Sequence, residues 1–228
     1  MNYIKYNAMK KYSWFLIFVI AVLLSGCVPT PDVRFLEPQP VNKHDLKIIP
    51  KEYQGKYVSK SDSSMLKIDS KVIFQEWKGV SKVSDIEMQK EFDTVYLEDI
   101  RVDLSENWSM IVEIDGDSAI IKTHGVDTLF VLDSKTKLRK FKGYLFLNYV
   151  RADSTWKVKT LKLENNQLDF EDLVRHTEID SLREITPISS KFDSTSNRFK
   201  YHDLQPKRKE LKKILEKKVP DSKFLKVE

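Results

Sequence analysis

Two serines precede a lysine by three positions, a spacing that could bring a nucleophile next to a base. The pairs are Ser64 with Lys67 and Ser134 with Lys137. On a helix this separation places both side chains on one face, whereas on a strand it directs them to opposite faces. The first pair leads into a predicted strand and the second lies in a predicted turn. Neither pair therefore predicts nucleophilic catalysis.

Metal ligation needs clustered donors, and the histidines of this chain are dispersed over His44, His124, His176 and His202. No two of them have the spacing of metal ligands, and His124 with Asp127 fits a solvent-exposed hairpin end. The segment 115–117 lacks the further oxygen ligands of a calcium loop. We therefore predict no catalytic residues and no metal site. An enzyme of unknown type is only the third functional alternative.

Cys27 is the only cysteine of the chain, so it cannot form an intramolecular disulfide. It follows Leu24-Ser25-Gly26 and an apolar run that begins at Trp14, and three lysines precede that run. A basic stretch, an apolar stretch and small residues are typical of a signal peptide. The apolar stretch is too short for a membrane span.

The residues Leu24 to Cys27 resemble the lipobox of bacterial lipoproteins. The resemblance implies cleavage after residue 26 and a covalent lipid on Cys27, with no other cofactor. It implies a location in the cell envelope, at the outer membrane and facing the periplasm, with the membrane as one partner. A soluble secreted protein and an uncleaved anchor are the alternatives.

The charge distribution argues against a nucleic-acid partner. The net charge of the whole chain is +5, but three lysines belong to the signal peptide, and residues 206–228 carry nine basic against four acidic residues. The remainder is slightly acidic. The basic helix predicted over 206–218 either contacts anionic lipid or a partner, or is a solvated surface helix with a narrow apolar stripe.

Four regions follow from the distribution of proline and of apolar residues. Residues 1–26 are the signal peptide, and residues 27–50, which hold five of the eight prolines, are predicted to be a tether. Residues 51–186 contain no proline and are predicted to be an antiparallel β domain. Residues 187–228 are predicted to be a linker with a small strand-helix-strand appendage.

The β domain is predicted as a meander of short strands that forms a barrel or a sandwich, so the fold class is mainly β with a small α/β C-terminal appendage. Asp115-Gly116 predicts a hairpin. After Trp156 the alternation of apolar residues shifts from one face of the strand to the other, which predicts a β-bulge near Thr160-Leu161. Ser84 and Glu87 match a capping box and predict a short helix over 83–92.

Gly55-Lys56-Tyr57 resembles the Gly-x-Trp entry of lipocalin-like barrels, with Tyr in place of Trp. The resemblance implies a carrier of a small apolar ligand, whose cavity would be lined by Tyr57, Phe146 and Trp156. Our first hypothesis is a lipid-anchored, non-catalytic module that binds an envelope protein or supports an assembly. The lipocalin-like carrier is the alternative.

Overall fold

The computed structural model describes residues 30–84, 100–105, 107–115, 118–219 and 223–227. The predicted signal peptide, Cys27 and most of the helix predicted over 83–92 lie outside these residues. Fourteen strands, two α-helices and two short 3-10 helices are assigned within them.

Strands make up most of the described chain. They are β1 (Asp32–Phe35), β2 (Gly55–Ser59), β3 (Met65–Ile68), β4 (Val72–Ser84), β5 (Ile100–Ser105), β6 (Trp108–Asp115), β7 (Ser118–Val131), β8 (Thr136–Phe141), β9 (Tyr144–Val150), β10 (Trp156–Glu164), β11 (Gln167–Asp172), β12 (Ile188–Asp193), β13 (Arg198–Leu204) and β14 (Lys223–Lys226). The helices are α1 (Ile179–Leu182) and α2 (Arg208–Glu216), and the 3-10 helices are Lys51–Tyr53 and His176–Glu178.

The strands form one large mixed sheet in the order β12-β13-β1-β10-β11-β14-β2-β3-β4-β7-β6-β5. Strand β8 joins it through β9, which pairs with β10. Strands β1 and β13 run parallel, and the predicted hairpin at Asp115 is present as the antiparallel pair β6 and β7. The mainly β class is confirmed, and the sheet does not close on itself.

The short segment 46–49 runs from β8 to the turn between β3 and β4. The Leu46 N–H donates to the Leu138 carbonyl at 2.7 Å, and the Ile49 N–H donates to the Ser70 carbonyl at 2.7 Å. These bonds satisfy backbone groups that would otherwise be unpaired near the core. Residues 46–49 therefore join two separate parts of the open sheet.

Strands β9 and β10 have a hydrophobic core on each face. Leu161 belongs to the first core and Val158 to the second, as alternation along a strand requires. The pairing with β9 runs without a shift from Trp156 to Lys162. The β-bulge predicted near Thr160-Leu161 is therefore wrong, because the change of phase reflects apolar residues on both faces.

The first core lies on the face shared by β2, β3, β4 and the central strands. Its members are Ile49, Tyr53, Tyr57, Leu66, Ile68, Ile73, Phe130, Leu138, Leu145, Leu147, Leu161, Leu168, Phe170 and Phe224. The second core lies between the opposite face of β9 and β10 and the two helices. Its members are Phe35, Phe141, Phe146, Val158, Leu173, Val174, Ile179, Leu182, Leu204, Leu211, Ile214 and Leu215.

The tether predicted for residues 27–50 does not extend past Asp32, because the chain from there onward packs on the β domain. Strand β1 pairs with β13 from Asp32 opposite Tyr201 to Phe35 opposite Leu204. Arg34 forms a bidentate pair with Asp203 at 2.7 and 2.8 Å. Such planar pairing fixes orientation as well as charge.

Two buried polar side chains hold the next stretch of this segment. Arg139 donates to the carbonyls of Pro38 and Pro40 at 2.6 and 2.9 Å. Asn148 accepts from the Gln39 N–H at 2.6 Å and donates to the Gln39 carbonyl at 2.8 Å. Arg139 and Asn148 lie about a hundred positions from these partners in the sequence, and local composition does not reveal such distant contacts. The proline content of residues 27–50 therefore predicted a tether.

The predicted C-terminal strand-helix-strand is present, but it forms part of the main sheet. Strand β13 pairs with β1, and β14 lies between β11 and β2. Strand β12 lies within the predicted linker. Its side chains are mostly polar, so the sequence did not indicate an edge strand there. Residues 187–228 therefore complete the β domain rather than forming a separate appendage.

Candidate functional site

The three residues predicted to line a ligand cavity lie in different places. Tyr57 is fully buried in the first core, whereas Phe146 is fully buried in the second. Trp156 is half-buried and packs against the second core. The structure therefore brings Phe146 and Trp156 to one core and leaves Tyr57 on the other side of the sheet, so the carrier hypothesis stays a prediction.

Tyr57 has a structural environment in the first core. Its hydroxyl donates to the Tyr53 carbonyl at 2.7 Å. Burial raises the pKa of Tyr57 to about 12, because the phenolate would lose its hydration. The side chain therefore acts as a neutral hydrogen-bond donor between the start of β2 and the preceding 3-10 helix.

The serine and histidine pairs of the sequence have other partners in the structure. Ser64 is buried before β3 and donates to Asp62 at 2.8 Å, whereas Lys67 is exposed. His124 lies 3.1 Å from Glu76, and the Asp127 carboxylate accepts from the Trp77 indole instead. These contacts fix turns and neighbouring strands.

Among the described residues, no group of three or more histidine, cysteine or acidic side chains could hold a metal ion. Within the same part of the chain, none of the helices is sufficiently long and apolar to cross a membrane.

The most distinctive side-chain arrangement lies at one end of the sheet, on β12 and β13. We call it the edge cluster, and it consists of Ser190, Phe192, Phe199 and His202. Ser190 is opposite His202 and Phe192 is opposite Phe199, with a register shift between Lys191 and Phe192. The shift places all four side chains close together, because a bulge changes the face to which later residues point.

Short distances join the members of the edge cluster. The Ser190 Oγ lies 2.7 Å from the His202 Nδ1. The ring of Phe199 lies 5.2 Å from that of His202 and 5.4 Å from that of Phe192, in an edge-to-face arrangement with Phe192. Such aromatic geometry is favourable.

His202 and the two phenylalanines differ in exposure. His202 is 4% exposed, whereas Phe192 and Phe199 are 49% and 41% exposed. Burial lowers the pKa of His202, and the positive charge of Arg183 lowers it further. The imidazole is therefore neutral near neutral pH and supports an aromatic pair that faces solvent.

The edge cluster lacks the geometry of a serine hydrolase. A catalytic histidine needs a third group that orients it. None of the hydrogen bonds among the described residues joins a carboxylate to His202, and Ser190 lies on an edge strand. The arrangement instead offers an apolar surface next to an open sheet edge.

The sequence around Phe192 and Phe199 contains a hairpin signal. Phe192 and Phe199 flank the six polar residues 193–198, of which the first five, Asp193-Ser194-Thr195-Ser196-Asn197, are rich in turn formers. Two aromatic residues on either side of such a run indicate a hairpin. The polar composition of this stretch favoured the linker that is predicted within residues 187–228.

In comparisons with known proteins, no family model matches the chain, and neither a curated protein nor a solved structure is significantly similar to it.

Proposed function

We propose that this chain is a lipid-anchored protein of the bacterial cell envelope that binds another protein through the edge cluster. The lipobox-like residues Leu24 to Cys27 and the lone cysteine support the anchor. The absence of a catalytic arrangement in the sequence favours binding over catalysis. The β domain would then be the part that engages the partner.

The observation that carries the binding proposal is the exposed aromatic pair formed by Phe192 on β12, the outermost strand of the sheet path, and Phe199 on the neighbouring strand β13. Exposing two adjacent aromatic rings to water is unfavourable, and such patches mark interaction sites. Aromatic residues also dominate the energy of protein interfaces.

The neighbouring backbone indicates the kind of partner. Strand β12 pairs with β13 on one side, and its other edge ends the path of described strands. The outward N–H and C=O groups of an edge strand can pair with an extended segment of another protein. We therefore propose an extended polypeptide segment that adds to β12 and covers the two rings.

Photo-crosslinking in native cells tests this proposal. A benzophenone amino acid in place of Phe192 in the full-length protein is expected to yield an adduct with another protein. The Phe199→Ser variant should weaken this adduct. The same probe in place of Val80, which is 73% exposed on β4, is the control. An absent adduct, or an equal yield at both positions, would contradict binding at the edge cluster.

A further inference from the structure

The first described residues lie very close to the predicted lipid attachment site. Pro31 is four residues after Cys27, and an extended chain spans at most about 3.6 Å per residue. The two Cα atoms are therefore at most about 14 Å apart. If Cys27 carries a lipid, as the proposed function requires, the surface around Pro31 must lie at the membrane.

A cleft of about 260 Å³ surrounds the point where the chain enters the fold. Its walls include Pro31, Asp32, Asp172 and Arg175. The acidic groups have basic partners, since Asp32 pairs with Arg151 and Asp172 lies 3.4 Å from Lys159. This entry surface therefore does not present uncompensated negative charge to a bilayer.

The segment directly after α2 is fixed beside the same cleft. The almost fully buried Lys218 Nζ donates to the Asp172 carbonyl at 2.7 Å and lies 3.0 Å from the Glu171 carboxylate. Burial lowers the pKa of Lys218, and Glu171 opposes that effect. Because Asp172 also lines the cleft, this segment and the chain entry belong to one side of the molecule.

The rest of α2 has a buried apolar face and an exposed basic face. Leu211, Ile214 and Leu215 are buried in the second core. We call the exposed lysines on the opposite side, together with Lys217 directly after the helix, the basic face. It consists of Lys209, Lys212, Lys213 and Lys217. Glu216 lies among them and pairs with Lys212 at 3.5 Å.

We infer that the basic face binds the anionic phospholipid head groups of the membrane that holds the Cys27 lipid. Each lysine near an anionic surface adds to binding. The short distance from Cys27 to Pro31 holds this side of the molecule close to the membrane. The basic face therefore lies near lipid head groups, which favours a lipid surface over a protein partner. The edge cluster is then left for the protein partner.

Fluorescence quenching in vesicles tests this inference with the lipidated protein. Since Cys27 is predicted to be blocked by lipid, a new cysteine carries the only free thiol. Glu216→Cys places a fluorophore within the basic face without removing a lysine, and Lys82→Cys on β4 is the control. The vesicles contain phosphatidylethanolamine with either phosphatidylglycerol or phosphatidylcholine, and the quencher is attached to head groups.

The fluorophore at position 216 is expected to be quenched more strongly than that at position 82 in phosphatidylglycerol vesicles. The excess should be lost in phosphatidylcholine and in Lys213→Glu combined with Lys217→Glu. Equal quenching at both positions, in protein that floats with the vesicles, would overturn the basic-face inference and leave the anchor intact. Protein that fails to float with either vesicle would overturn the anchor itself.

Discussion

The two hydrophobic cores are built from different kinds of chain segment. The first core consists mainly of residues from strands joined by short hairpins, such as Leu66 and Ile73. The second core needs β1 from one end of the chain and α2 from the other. Buried polar bonds such as that between Gln39 and Asn148 join residues 109 positions apart. Local alternation therefore builds most of the first core, to which β14 adds Phe224 from the C-terminal end, whereas the second core depends on specific long-range hydrogen bonds.

The largest expected effect comes from the strand that both cores share. Leu161→Ala should lower the free energy of unfolding by about 2–5 kcal/mol, because it leaves a cavity in the first core. Leu225→Ala is the matched control, since Leu225 is 42% exposed on β14. Urea denaturation measures both variants, and equal losses would show that the first core is not close-packed around Leu161.

A smaller and more local loss of stability is expected from the buried hydrogen bonds between Asn148 and Gln39. Asn148→Ala leaves the buried N–H and carbonyl of Gln39 without these partners and should cost about 1–3 kcal/mol. Hydrogen exchange should accelerate at Gln39 and its neighbours more than in β2 and β3. Uniform acceleration over all these regions would contradict a separate docking of residues 32–50.

The smallest of these effects is a pH dependence at His202. Its pKa in the folded state is lowered from 6.5, so the unfolded chain binds more protons between the two values. Stability should therefore fall as the pH decreases below 6.5, and the penalty is complete below the folded pKa. His202→Gln should flatten this part of the stability curve, and the exposed His44→Gln is the control. An unchanged curve for His202→Gln would show that this histidine does not titrate as described.

The same contrast between the cores explains what the sequence could predict. Alternating apolar residues predicted strands such as Met65–Ile68 and the mainly β class. The same alternation led to a wrong prediction of a β-bulge at Thr160 and Leu161, because a strand between two cores has no polar face. The docking of residues 32–50 depends on Arg34, Arg139 and Asn148, whose partners are distant in sequence. The edge cluster also depends on a register shift that residue types alone do not reveal.

The proposed envelope location rests on Cys27, and mass spectrometry of the mature protein from its native host tests that proposal most directly. The N-terminal peptide is predicted to begin at Cys27 and to carry acyl chains, and Cys27→Ala should release the protein from the membrane fraction. A mature protein that begins elsewhere with an unmodified Cys27, or an unchanged membrane fraction for Cys27→Ala, would contradict the lipid anchor.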